Sequence, residues 1–272
     1  MISLITATLG RINEVERLLV SLSKQTYKDF EIIIVDQNEH LELEKLVSKF
    51  NNLNLVYLRS SQKGLSLNRN IGLSKAKGDI IGFPDDDCFY EDNLLSQVFK
   101  VFSNEGEKCK MVAVEAKDIS SEFVFIKCDQ EVIHRNELFK KCISYNFFIR
   151  RIDEMKFDER LGVGAEFGSG EETDFLWTFF NSGDICKLIN TTCVHHPGNI
   201  GAVNPDRAYK YGLGFGAIMK KEILYRHHYN MAIIYLNGII RAFGGFLLKK
   251  EKKSYYNSLL GRVKGFCMYK SL

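Results

Sequence analysis

Three consecutive carboxylates, Asp85, Asp86 and Asp87, follow the apolar run Ile80-Ile81-Gly82-Phe83 across Pro84. Carboxylates this crowded repel one another, and a divalent cation is the simplest relief. Hard ions such as Mg²⁺ or Mn²⁺ match oxygen donors, hold one or two protein carboxylates, and take their remaining ligands from water and phosphate. The stretch therefore points to a cation carrying a phosphorylated ligand. A solvated acidic loop or a helix cap would use the same residues, so the rest of the chain has to supply converging groups. Lys63-Gly64 and Arg69-Asn70 flank a helix start, where backbone N–H groups and basic side chains favour phosphate. Asp36 ends the run Phe30-Glu31-Ile32-Ile33-Ile34-Val35 and offers a hydrogen-bond acceptor at a strand end; capping the next helix is its other use. Glu171, Glu172 and Asp174 follow the Gly-rich stretch 162–170 and fall in a first helical turn, where the macrodipole favours acids.

These groups need elements to position them. Strand patterns at 2–6, 30–36, 53–58 and from Ile80 alternate with helical spacing at 12–24, 41–50 and 65–76. That alternation predicts βαβ units and a parallel sheet, with right-handed crossovers bringing the strand ends to one side. Thr8, Asp36, Lys63-Gly64 and the acids at 85–87 all belong to that side, the edge at which open α/β sheets bind ligands. If the strand from Ile80 ran on through the acids, alternation would turn Asp86 away from its two neighbours. Beyond residue 90 the pattern predicts a helix at 91–104, paired strands at 111–117 and 122–127, a strand at 143–150, a helix from 171 to about 181 and a strand at 185–194. That last strand leads to His195 and His196, which point to opposite sides if the chain stays extended. Trp177, the single tryptophan, reads as core, and His227-His228 as helix surface.

The totals allow one large α/β domain or two small ones in 272 residues. A net charge of +3 is too small to argue for a nucleic-acid partner, and none is expected. Seven cysteines, an odd number with no C-x-x-C pair, predict free thiols in a reducing compartment. The first strand begins at Ile2, which leaves no room for a secretion leader. Residues 205–272 read as helical. Met231 to Leu248 is apolar but carries Asn237, Arg241 and three glycines, which favours an interfacial or core helix over a spanning one. From Arg241 onward basic residues (Lys249, Lys250, Lys252, Lys253, Arg262, Lys264) alternate with aromatic ones (Phe243, Phe246, Tyr255, Tyr256). This fits adsorption to an anionic membrane face, and equally a solvated helix with a charged outer side.

Five pieces in order resemble the GT-A-fold glycosyltransferases of family 2: the opening strand with Thr8 and Arg11; Val35-Asp36; Gly64 to Gly72 running into Ala76-Lys77-Gly78-Asp79-Ile80-Ile81-Gly82-Phe83; Asp85-Asp86-Asp87; and Gly170-Glu171-Glu172-Thr173-Asp174. The resemblance covers roughly residues 2–200. It implies an α/β, Rossmann-like GT-A fold whose mixed, mainly parallel sheet is flanked by helices. Residues 1–100 would form the nucleotide-sugar-binding half and 101–200 the acceptor half, with 201–272 as a helical extension. It further implies inverting, metal-dependent transfer of a sugar from a nucleotide-sugar, UDP-linked for preference, to a glycan or lipid-linked glycan, at the cytoplasmic face of a membrane. By the same resemblance Asp87, Asp85 and His196 hold Mn²⁺ or Mg²⁺; Thr8, Arg11, Asp36, Lys63, Gly64, Arg69, Asp85 and Asp86 bind the donor; and Glu172, with Glu171 and Asp174 beside it, supplies the general base. Two positions depart from the family pattern: Cys88 replaces a fourth acid, and Glu171-Glu172 stands where Glu-Asp is usual. A nucleotidyltransferase is the rival enzyme class, but Thr8-Leu9-Gly10-Arg11 is thin for its Gly-rich signature. A non-catalytic sugar-nucleotide-binding subunit is the other rival.

Overall fold

The structure, a computed structural model, describes residues 1–181, 183–198 and 204–270, so the expected boundary at 200/201 lies outside the described residues. The chain begins β1 (Ile2–Thr8), α1 (Ile12–Ser23), β2 (Phe30–Asp36), α2 (Glu42–Val47), β3 (Leu55–Arg59), α3 (Leu65–Leu73) and β4 (Ile80–Gly82). It continues through β5 (Phe89–Tyr90), α4 (Leu94–Glu105), β6 (Cys109–Asp118), β7 (Val124–Ile126), β8 (Val132–Ile133), α5 (Leu138–Lys141) and β9 (Phe147–Arg150). After a loop come α6 (Glu171–Phe179), β10 (Ile185–His196), α7 (Pro205–Lys220), α8 (Met231–Leu248) and α9 (Lys252–Met268).

The sheet runs β3-β2-β1-β4-β9-β6-β10-β5, with β7 against β6 and β8 against β10. β1 is parallel to both β2 and β4. β2 and β3 extend the sheet one way from β1 and β4 the other, so β1 and β4 flank the topological switch point, where such sheets form their ligand crevice. β9 enters antiparallel between β4 and β6, and β10 returns parallel to β6. β2 is buried along its whole length, as a strand covered on both faces must be. α1 buries Val15, Leu18, Leu19 and Leu22, the apolar face of its 3.6-residue period. α3 lies so close to β1 that a Cβ on Gly72 would stand 2.4 Å from Ile5 Cγ2.

β4 stops at Gly82 and does not run into the acids. Pro84 has no N–H for a ladder, its carbonyl accepts from Thr6 Oγ1 at 3.0 Å, and Cys88 N closes a turn on Asp85 O at 3.2 Å. The alternation expected to turn Asp86 away is therefore interrupted, and Asp86 and Asp87 both reach Arg11. The segment expected as strand at 143–150 is strand only from Phe147; Ser144–Asn146 form a 3₁₀ turn.

The chain divides into two compact units: Met1–Lys63, Leu67–Lys156 and Phe175–Asn199 in the first, and Gly64–Ser66, Phe157–Asp174 and Ile200–Leu272 in the second. The first is the sheet with its packed helices. In the second, α7 and α9 touch backbone to backbone through Gly212 and Gly216 on one helix and Gly261 and Gly265 on the other. A Cβ on Gly216 would stand 2.1 Å from Arg262 O, and one on Gly265 2.0 Å from Leu213 O. Small residues four apart permit this approach. His227 and His228 lie in the turn before α8 and not on a helix surface, and His228 Nδ1 is 2.7 Å from Oε2 of the fully buried Glu222.

A half-buried ion network ties the second unit together. Arg160 forks onto Asp158 at 3.0 and 2.8 Å, Tyr269 donates to it at 2.6 Å, and Lys221 bridges it to Asp174 at 3.0 and 2.7 Å. Arg226 pairs with Asp174 at 2.9 Å and also with Glu222. Burial pushes the Asp158 carboxyl up, but the hydrogen bonds from Arg160 and Tyr269 and the Lys221 charge outweigh it and hold it well below the usual range. A depressed carboxylate stabilises the fold above its unfolded pKa of about 3.9 and loses that contribution as pH falls through the folded value. Asp158→Asn should cost about 3 kcal/mol at neutral pH, because it leaves Arg160 and Lys221 short of an acceptor. It should also flatten the acid limb of a stability–pH profile read by chemical denaturation. An unchanged acid limb would show that the network does not control it.

Candidate active site

The site is built where β1, β4 and β10 end. Thr8, the last residue of β1, donates from Oγ1 to Asp86 Oδ2 at 2.8 Å. Arg11, in the turn before α1, pairs with Asp86 at 3.2 Å and with Asp87. Arg17 on α1 donates to the Asp87 carbonyl at 2.6 Å. Asp85 Oδ1 accepts from Arg69 at 2.8 Å and from Ser144 Oγ at 3.1 Å. His196, the last residue of β10, lies 3.1 Å from Asp87 Oδ1 and 3.8 Å from Asp85 Oδ2 through Nε2. Its ring stacks on Tyr145 at 4.3 Å between centroids.

Burial, with Asp87 and Asp85 adding repulsion, pushes the Asp86 carboxyl up to about 6 against the Thr8 hydrogen bond and the Arg11 charge. Asp87 is buried too, but contact with His196 and Arg11 outweighs that burial and holds its carboxyl below the ordinary value. Burial alone would lower the His196 imidazole; Asp87 and Asp85 reverse the direction and raise it. The Cys88 thiol is pushed far up, by full burial first and the three acids next. Cys88 packs into the hydrophobic core, so the sequence's departure at this position leaves an apolar filler behind the acids.

The donor set fits a hard divalent cation. Ligand atoms of Asp85, Asp87 and His196 all lie within 4.8 Å of one another, and two carboxylates with one imidazole suit Mn²⁺ or Mg²⁺. Arg69 proves to be interior, 2% exposed, with its guanidinium 5.8 Å over the Phe83 ring. From there it sets the orientation of Asp85.

The other expected residues have surroundings of their own. Asp36 is in register with Thr8 on the neighbouring strand, but its carboxylate accepts from Asn38 N and Nδ2 and, at 2.6 Å, from Tyr57 OH. Lys63 is exposed and pairs with Glu39 at 3.8 Å. Gly64 adopts φ +135° and belongs to the second unit, where Leu65 N donates to Val163 O at 3.0 Å. The first turn of α6 holds the three acids in different surroundings. Glu171 is buried, and Asp174 is tied to Lys221 and Arg226. Glu172 is half-buried, and among the described residues none engages its carboxylate by a hydrogen bond or an ion pair. Sequence reasoning missed Ser144, Tyr145 and Arg17. The first two sit in a stretch that reads as strand, and Arg17 contributes a contact to a main-chain atom, which leaves no pattern.

An open α/β sheet with an acid cluster at its switch point is the GT-A architecture of nucleotide-sugar enzymes. Residues 3–153 match the family described as glycosyl transferase family 2, and the chain belongs to that family. An uncharacterized glycosyltransferase of Haemophilus influenzae is 28% identical over 181 residues, 58% of this chain and 60% of that protein. A GalNAc(5)-diNAcBac-PP-undecaprenol beta-1,3-glucosyltransferase of Campylobacter jejuni is 30% identical over 112 residues, 39% of this chain and 35% of that protein. The chain thus spans less than two thirds of these relatives. The structure of S. aureus TarS 1-349 in complex with UDP-GlcNAc superposes with a TM-score of 0.70 over 97% of this chain and 81% of that one. At 17% identity that likeness is one of fold.

Proposed function

We propose that the protein transfers a sugar from a nucleotide-sugar, UDP-linked for preference, to a hydroxyl of a glycan or lipid-linked glycan, with inversion and with a divalent metal. The observation that carries the reading is the convergence of Asp85, Asp87 and His196 beside Arg11 at the switch point of a family 2 chain. A divalent ion held by those three residues would act as Lewis acid toward the departing diphosphate. Arg11, 45% exposed at its side chain, is free enough to reach a phosphate while its partner acids take the cation. Thr8 and Asp36, in register at the ends of adjacent strands, suit the nucleoside. Lys63 and Gly64 supply a cation and an open backbone for the donor, and Arg69 keeps Asp85 aimed. Glu172 accepts the proton of the attacking hydroxyl. The Campylobacter relative's lipid-linked substrate and the UDP-GlcNAc of the TarS complex support the choice of acceptor and donor classes. The test is a thermal-shift screen of UDP-, GDP- and dTDP-sugars with and without Mn²⁺. One nucleotide should raise Tm only when Mn²⁺ is present. No shift with any of them would remove the donor assignment, and Mn²⁺-dependent binding without turnover on any glycan acceptor would favour a binding subunit.

The same proposal places the protein peripherally on the cytoplasmic membrane face through α8. This helix is long and apolar enough by length and composition to cross a membrane, but Arg241 lies exposed on it. Ile233, Leu236, Ile240, Phe243 and Leu247 recur every three or four residues, each more than half exposed. Lys249, Lys250, Lys252 and Lys253 follow at its end. An apolar stripe bordered by cations suits an anionic lipid surface. Replacing Ile233, Leu236 and Ile240 together by Glu should abolish co-sedimentation with phosphatidylserine vesicles and leave the fold intact, because these side chains are on the solvent side. Sedimentation equal to the parent's would remove the membrane assignment.

A further inference from the structure

β10 offers different chemistry on its two faces. His196 meets Asp85 and Asp87, whereas Cys193 and His195, two residues apart, share the opposite face. β5 pairs antiparallel with this end of β10, setting Phe89 opposite His195 and Tyr90 opposite Val194. The next residue, Glu91, donates its N–H to Cys193 O at 3.4 Å. Three ligand types converge as a result. Cys193 Sγ is 2.9 Å from Glu91 Oε1 and 3.2 Å from His195 Nε2, and His195 Nε2 is 3.6 Å from Glu91 Oε1. We propose that Glu91, Cys193 and His195 form a second cation site, selective for a thiophilic divalent ion of the Zn²⁺ class, separate from the hard-ion site at Asp85, Asp87 and His196.

The geometry suits that ion. Tetrahedral Zn²⁺ bonds sulfur at about 2.3 Å and nitrogen or oxygen at about 2.0–2.1 Å, so its ligands stand about 3.3–3.6 Å apart. Pair by pair, the sulfur–nitrogen spacing of 3.2 Å is about 0.3 Å short of the tetrahedral value and the nitrogen–oxygen spacing of 3.6 Å about 0.3 Å long, shifts within reach of small side-chain rotations. The Cys–Glu spacing is shorter because thiol and carboxylate share a proton in a hydrogen bond, and it would open by about half an ångström when the ion replaces that proton. The ligands are also held in place. Glu91 Oε2 accepts from Cys193 N at 3.1 Å, and the His195 ring lies flat on Phe89 at 4.5 Å and 6°. Such outer contacts orient metal ligands. Cys193 is buried, while the side chains of Glu91 and His195 are 38% and 21% exposed, and Glu91 also lines a cavity with Arg17, Lys24 and Asn93. An entry path and a fourth coordination position are thereby available. Sulfur is the discriminating donor: thiolates select Zn²⁺ over Mg²⁺ or Mn²⁺. An ion here would clamp β5 to the end of β10 that carries His196.

The test uses the full chain, stripped with a chelator under reducing conditions and titrated with Co²⁺ as the spectroscopic stand-in for Zn²⁺. The expected result is a sulfur-to-cobalt charge-transfer absorption saturating at one equivalent and displaced by Zn²⁺. Cys193→Ser should abolish the band, Glu91→Gln should weaken Co²⁺ binding at least tenfold, and Asp87→Asn should leave both unchanged. Zn²⁺ should raise the Tm of the parent and of Asp87→Asn but not of Cys193→Ser. Absence of the band in the parent chain would overturn the site whatever the variants do, and so would its persistence in Cys193→Ser. Because no donor sugar is involved, this outcome is independent of the transferase reading.

Discussion

Asp87→Asn should abolish Mn²⁺-dependent nucleotide binding and lower kcat/KM for sugar transfer by about 10³-fold, roughly 4 kcal/mol of transition-state stabilisation. The substitution conserves size and removes one negative charge from a donor set of two carboxylates and an imidazole. Hard divalent ions depend on carboxylate charge, so an amide there leaves Asp85 and His196 as the remaining ligands. It also turns an acceptor into a group with its own N–H donors toward Arg11 and His196, both of which contact Asp87. The backbone contact from Arg17 to the Asp87 carbonyl is untouched, so the loop itself should hold. Isothermal titration of the nucleotide with and without Mn²⁺, next to circular dichroism of the variant, separates lost metal binding from misfolding. A folded Asp87→Asn protein with Mn²⁺-dependent affinity unchanged would mean that the cation is held elsewhere. Arg69→Met should give a weaker version of the same phenotype, about tenfold, because it acts on Asp85 through a buried ion pair at 2.8 Å.

Glu172→Gln should leave nucleotide affinity intact and reduce kcat by about 10²–10⁴-fold, the range attributed to a positioned general base. Glutamine keeps the shape of glutamate but cannot take up a proton at the carboxyl oxygen. Glu171 is buried, and Asp174 is committed to Lys221 and Arg226. Burial shields the first and ion pairs hold the second, whereas Glu172 is half-buried and unengaged among the described residues. Asp174→Asn should instead lower thermal stability, since it weakens the pairing of the buried Asp174 with two half-buried cations, Lys221 and Arg226. Single-turnover transfer at saturating donor is the measurement that sorts these outcomes. Full turnover in Glu172→Gln would remove the base assignment, and a large loss of kcat in Glu171→Gln alone would transfer it one residue back.

The sequence by itself determined the fold class and the identity of the acid cluster. Apolar runs of parallel strands, helices with one buried face, and turn residues between them are local properties, and the strand at 30–36, most of the strand Ile185–His196 and the helix opening at Glu171 follow from them. The resemblance carried by the sequence likewise singled out Asp85, Asp87 and His196. Tertiary structure decided how they are held. Pro84 and the turn closed on Asp85 ended β4 early and brought Asp86 to Arg11. Arg69 went inside because Asp85 and the Phe83 ring offered it both an acceptor and a face. The glycines of α7 and α9 met because the two helices come together across more than forty residues of chain, and Glu91 reached Cys193 and His195 by strand pairing across about a hundred. Pairings at that separation depend on which surfaces chain closure brings together and on the side-chain desolvation that follows. No periodicity within one segment encodes either.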